Sequence, residues 1–165
     1  MLQPTQVIPG ESDPILLEVV RMIYNQSRSY FTKDLPYRYA HEQWEWWSRL
    51  DHSKSKLFVW RDTERPYEIV AFSFLRDEDT YASPLFGIGA WARGRGYARA
   101  IIKHYIETAG KPLRCEQLVS HVAIRKLNRD AGWFVLREQD GVQSLYHPGP
   151  GTYPDYDAIL KGLDG

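Results

Sequence analysis

The residues best placed to do chemistry lie mid-chain, in Gly87-Ile88-Gly89-Ala90-Trp91-Ala92-Arg93-Gly94-Arg95-Gly96-Tyr97-Ala98. A strand runs into glycines there, and the glycines open an amphipathic helix. That passage aims several backbone N–H groups at one point, at the positive end of a helix dipole, and suits an anion such as a pyrophosphate. Gly94 and Gly96 let the backbone come close to phosphates, and Ala98 keeps the helix near the sheet. A P-loop would end in Gly-Lys-Ser/Thr, which is absent. A dinucleotide fingerprint would follow the first strand of its unit and carry Gly-x-Gly-x-x-Gly, and neither holds. Arginine–glycine segments that bind RNA are disordered and repeated, whereas this one occurs once. A plain tight turn before a helix is the remaining alternative.

The surrounding pattern supplies the elements that hold this loop. Asp13-Pro14 opens a helix whose apolar face is Ile15, Leu16, Val19, Val20 and Ile23. Residues 29–39 read as a polar, aromatic loop, and a second helix spans 40–50 with Trp44, Trp47 and Leu50 on one stripe. Strands over 56–61 and 68–75 form a hairpin, and a third runs from about 81 to 91. Gly87 and Gly89 inside it predict a bulge or a close approach. A helix from Tyr97 ends at Gly110 and Pro112, followed by a strand over 113–119 and a helix over 122–131 capped by Gly132. A last hairpin, 133–138 and 142–146, turns at Asp140-Gly141. The order predicts an α+β fold: a mixed, mostly antiparallel sheet, a central parallel β-α-β crossover, and helices on both faces. Residues 1–147 read as one domain and 148–165 as a Pro/Gly-rich tail with one short helical turn.

Composition narrows the function. The 165 residues carry 21 basic and 21 acidic side chains, so nothing favours a nucleic-acid or membrane-surface binder. Cys115 is the single cysteine, which rules out an internal disulfide and fits a reducing compartment. Residues 1–10 lack the pattern of a signal peptide, and no apolar run is long enough to span a bilayer. These features predict a cytoplasmic protein, and nothing in the pattern asks for a metal.

Arg93-Gly94-Arg95-Gly96-Tyr97-Ala98 resembles the acetyl-CoA motif of the GNAT superfamily, Arg/Gln-x-x-Gly-x-Gly/Ala. His121-Val122-Ala123-Ile124-Arg125-Lys126-Leu127-Asn128 through Gly132-Trp133 resembles the family's next motif, Asn-x-x-Ala-Ile-x-Leu-Tyr-x-x-x-Gly-Phe. The resemblance implies an N-acetyltransferase with acetyl-CoA as cosubstrate. It places the pyrophosphate on backbone amides of Arg93, Gly94, Arg95, Gly96, Tyr97 and Ala98. It sets the pantetheine arm beside Ile88, Gly89 and Ala90, with an amide near Ala90 steadying the oxyanion. The sequence departs from the family twice. His121 replaces an Asn that contacts the CoA arm. Asn128 replaces the Tyr that protonates the departing thiolate. Either another group such as Tyr146 supplies that proton, or the thiolate, with a reference thiol pKa of ~8.5, leaves unaided. Glu116 and His121 are the candidate bases for the amine.

In such proteins the first two helices and their loop form the acceptor side. Asn25, Arg28 and Tyr30 are the candidate substrate contacts, and the region is loosely similar to members that acylate amino sugars. The expected partner is a small-molecule amine, with a protein amine as an alternative, and a homodimer is admitted. A non-catalytic acyl-CoA-binding module is the rival reading, supported by Asn128. A nucleic-acid base as acceptor is a third, which the neutral charge does not encourage.

Overall fold

A computed structural model describes residues 1–150 of the chain. Its elements are β1 (Leu2–Val7), α1 (Ile15–Ser27), α2 (Ala40–Arg49), β2 (Ser55–Asp62), β3 (Arg65–Asp77), β4 (Ala82–Ile88), α3 (Tyr97–Ala109), β5 (Leu113–Leu118), α4 (Val122–Asp130), β6 (Phe134–Gln139) and β7 (Val142–His147). The strands form one sheet in the order β1-β2-β3-β4-β5-β7-β6. Neighbours are antiparallel except β4 and β5. The fold is α+β, as the element order predicts.

Strand alternation builds a core on each face. Leu57, Val59, Phe72 and Phe74 meet Leu17, Val20, Ile23 and Trp47 of α1 and α2. Trp60, Ala71, Leu75 and Leu113 meet Ile101, Ile102 and Tyr105 of α3, and Ile124 and Leu127 of α4 close that side. One polar pair is buried within it, where the Trp60 indole N–H donates to Ser73 Oγ at 2.9 Å.

Three expectations change or sharpen. β1 is a strand that the sequence pattern hides, because Gln3, Thr5 and Gln6 break the apolar alternation of an edge that needs only one covered side. Pro4 is tolerated because this edge strand pairs on one side alone. Of the two alternatives for the β4 glycines, the bulge is absent, since the register with β3 runs unbroken from Ala71↔Ile88 to Asp77↔Ala82. Gly87 answers to close approach instead: a Cβ there would lie 2.7 Å from Phe72 and 2.8 Å from Ser27 Oγ. On α2, Trp44 is exposed, and Trp46 joins Trp47 against the core, its ring 5.4 Å from Phe74. The predicted helical turn of the tail, within 148–165, lies largely outside the described residues.

Candidate active site

The site begins where β4 and β5 stop pairing. They share one registered pair, Ala82↔Leu113, sealed by the Ala82 N–H to Pro112 carbonyl bond at 2.8 Å. Beyond it the strands part and leave a cavity of about 970 Å³. Gly89 N–H donates to Val70 of β3, and alternation therefore turns the amides of Phe86 and Ile88 toward the opening. Pro84, on the same edge, has no N–H to offer.

At one end of the cavity α3 begins without a side-chain cap. Its cap residue is Gly96 at φ 79°, two residues after Gly94 at φ 77°. This left-handed backbone strains any side-chain-bearing residue, which explains both glycines. The amides of the first helical turn have no intrahelical acceptor and face an open, exposed loop that lines the cavity. An uncapped, open helix start of this kind can cradle an anion.

At the other end, the loop after α1 closes over β5. Thr32 Oγ1 donates to Glu116 Oε2 at 2.9 Å. The Tyr30 ring lies 5.0 Å from the His121 ring and 4.7 Å from the Arg93 guanidinium. Burial pushes the His121 pKa below its ordinary value, so the ring is neutral near pH 7 and can accept a proton. Thus Tyr30, Glu116 and His121, far apart in sequence, converge on one cavity.

A model of the acetyltransferase (GNAT) family matches residues 20–135, more than half of the chain. The chain belongs to the GNAT acetyltransferase family. Solved structures agree on the fold. A spermidine N-acetyltransferase from Vibrio cholerae in complex with CoA and spermine aligns with TM-score 0.72 at 17% identity, over 90% of this chain and 95% of that one. A structure provisionally assigned as a phosphinothricin N-acetyltransferase gives 0.73 at 18%, over 90% and 98%. A GCN5-related N-acetyltransferase from Kribbella flavida gives 0.70 at 18%, over 89% and 97%. No curated protein sequence matches the chain. The cosubstrate of this GNAT enzyme is acetyl-CoA, and the open cradle and the free β4 edge fit its diphosphate and its amide-bearing arm.

The structure places several of these residues elsewhere than the sequence suggests. The Ala90 N–H, expected at the oxyanion, donates instead to Gln26 Oε1 at 3.0 Å. Nothing in the local pattern around Gln26 shows that α1 ends against the β4 loop, where Gln26 holds the Ala90 amide and the Arg93 guanidinium. Gly89 and Ala90 lie outside the cavity wall, and the Phe86 and Ile88 amides stand there in their place. The Arg93 side chain points away from the cradle, donating to the Ile88 carbonyl at 3.3 Å and the Gln26 carbonyl at 3.0 Å. Arg95 Nη2 donates to the Trp91 carbonyl at 3.2 Å. Tyr97 anchors the helix start to Asp62 at 2.5 Å.

Asn25 and Arg28 also lie outside the cavity wall. Asn25 clamps the loop: its Oδ1 accepts from Arg38 N–H at 2.8 Å and its Nδ2 donates to the Arg38 carbonyl at 3.0 Å. The Arg28 guanidinium sits 5.9 Å from the Tyr37 ring. Tyr146 is buried opposite Arg114 on β7, and it too is outside the wall. Tyr105 of α3, read from the sequence only as core, does line the cavity, and burial holds its phenol proton on to well above the usual pH.

Asn128 lines the cavity and is 4% exposed. Its Nδ2 donates to Gln117 Oε1 at 2.8 Å, Gln117 Nε2 to Gln143 Oε1 at 2.8 Å, and Gln143 Nε2 to Glu138 Oε1 at 2.8 Å. A carboxylate only accepts, so Glu138 sets the direction of every amide in the row. Asn128 must therefore spend its donor inward and leave Oδ1 as an unpartnered acceptor.

Proposed function

We propose that this enzyme transfers the acetyl group of acetyl-CoA directly to an amine of a small molecule. The observation that carries this reading is the parting of β4 from β5 after the single pair Ala82↔Leu113, which puts the glycine cradle and the Glu116–His121 pair on one cavity. Its size is within the range of small-molecule sites. The backbone amides from Arg93 to Ala98 hold the diphosphate, and the Phe86 and Ile88 amides pair with the pantetheine arm.

Glu116 or His121 takes the proton from the attacking amine, directly or through water. Thr32 holds Glu116 through one oxygen and leaves the other for that task. The Ile88 amide is the donor best placed by strand alternation to steady the oxyanion. Asn128 has no proton to give the departing thiolate, so Tyr105 supplies it or the thiolate departs as such. Cys115 also lines the cavity, but burial pushes its thiol pKa up and keeps it protonated, which supports direct transfer over an acetyl-cysteine intermediate.

A second reading, acyl-CoA binding without catalysis, rests on Asn128. Calorimetric titration with acetyl-CoA, followed by thiol release across a panel of amines, separates the two. Binding with thiol release supports the transferase. Binding with no release for any amine favours the binding module, and no binding of acetyl-CoA removes both.

A further inference from the structure

On β5, alternate residues face opposite sides of the cavity. Gln117 reaches Asn128 of α4, whereas Glu116 reaches Thr32 in the loop after α1. Arg114 shares the Glu116 face. On this acceptor side the cavity wall also carries Arg76, from the end of β3, and Lys33 from the loop. Three cations thus stand against one carboxylate, Glu116.

Their own partners do not account for them. Arg114 is half-buried, and among the described residues its guanidinium makes no hydrogen bond and no ion pair; it lies over the Tyr81 ring at 5.2 Å. Lys33 likewise pairs with no described residue. Arg76 pairs with Glu78 at 3.6 Å and lies 5.9 Å from the Phe74 ring. With no protein acceptor among the described residues, the donors of the Arg114 guanidinium open on the cavity and are free to meet an anion. Its planar fork suits a carboxylate or a phosphate.

We propose that the acceptor amine carries an anionic group, a carboxylate or a phosphate, bound by Arg114 with Arg76 and Lys33. This rests on the transferase reading above and names its substrate class. Arg114 and Glu116 are two residues apart on one face, roughly 7 Å along the strand. An acceptor that spans that interval places its anion on Arg114 and its amine beside Glu116, next to the parted strands. A polycation such as spermine, the ligand of the Vibrio cholerae protein, would bring like charge to the same wall.

The test uses two matched pairs, glucosamine 6-phosphate against glucosamine and 4-aminobutyrate against butylamine, with spermidine as polycation. Binding of each to the full chain is measured calorimetrically with and without acetyl-CoA, and thiol release is followed alongside. At least one anionic member is expected to bind tenfold or more tightly than its neutral partner, and the favoured pair tells phosphate from carboxylate. Arg114→Gln is expected to abolish that preference, while the acetyl-CoA affinity of the variant reports an intact fold. Arg76→Gln is expected to reduce the preference in part. Equal behaviour within both pairs, preference for spermidine, or a preference that survives Arg114→Gln overturns the proposal. Because binding is read without acetyl-CoA as well, failure of the transferase chemistry is distinguished from failure of the anion site.

Discussion

Tyr30 and His121 meet across the mouth of the cleft with ring centroids 5.0 Å apart, and Arg93 covers the Tyr30 ring at 4.7 Å. The stack joins the loop after α1 to the start of α4 and to the loop after β4, three segments with no shared hydrogen-bond ladder. A ring contact of this kind contributes about 0.5–1.5 kcal/mol. Tyr30→Ala is therefore expected to raise the acceptor KM roughly two- to tenfold, with Tyr30→Phe close to wild type because the ring faces carry the contact. Steady-state kinetics of both variants check this. An equal loss in Tyr30→Phe would move the role to the hydroxyl.

Asn25 tests the boundary between support and contact. Its two bonds to the Arg38 backbone fix the loop, and Arg38 in turn lies 4.3 Å from the Tyr24 ring and donates to the buried Gln43 at 3.0 Å. Asn25→Ala strips both backbone groups of their partner, at a cost of about 1–3 kcal/mol. The expected outcome is a lower melting temperature with acetyl-CoA affinity retained. A change in acceptor KM with unchanged stability would return Asn25 to the substrate.

These two residues show what the sequence could and could not tell. The glycine cradle was legible because its chemistry is local: strand, glycines and helix are contiguous, and Gly94 and Gly96 need their backbone conformation whatever packs nearby. Glu116 and His121 were legible because a strand followed by a helix sets them at the open end of the cleft. Asn25 and Arg28, at and just beyond the end of α1, read alike from the sequence whether they hold a ligand or the following loop. Gln26 and Tyr105 escaped notice because their importance arises from contacts 64 residues away, as in Gln26 to Ala90, or from a cavity that opens beside a helix face otherwise apolar. β1 escaped because an edge strand needs little apolar patterning to pair with β2.

Acid is expected to destabilise the fold through its histidines. The His147 ring donates from Nε2 to the Ala131 carbonyl at 2.9 Å, while Nδ1 accepts from Gly149 N–H at 3.0 Å. Both nitrogens are committed in the neutral form, and a second proton would face the Gly149 N–H. Burial lowers the pKa of His147, as it does for His104 and His121, with the Ala131 bond acting in the opposite sense on His147. The folded values lie below the unfolded one of ~6.5, so the unfolded chain takes up protons first as the pH falls. Stability is then full above about pH 6.5 and is lost as the pH drops through the folded values. Urea melts between about pH 8 and pH 5 are expected to show a plateau and then a decline, shallower in His147→Gln. A flat profile would contradict the assignment.

The amide row from Asn128 to Glu138 makes the last prediction sharp, because it separates structural from chemical loss. Asn128→Leu keeps the branched shape but leaves Gln117 Oε1 buried without its donor, at a cost of about 1–3 kcal/mol of stability. If residue 128 gives no proton to the thiolate, kcat should change less than about tenfold, whereas a working general acid contributes roughly 10²–10⁴-fold. Asn128→Asp sets an acceptor against an acceptor, since Gln117 is already turned by Gln143 and Glu138, and it should be the less stable of the two variants. Paired melts and single-turnover rates decide the matter. A hundredfold fall in the single-turnover rate of a well-folded Asn128→Leu would show that this side chain takes part in the chemistry, and the direction imposed by Glu138 would then have to reverse during turnover.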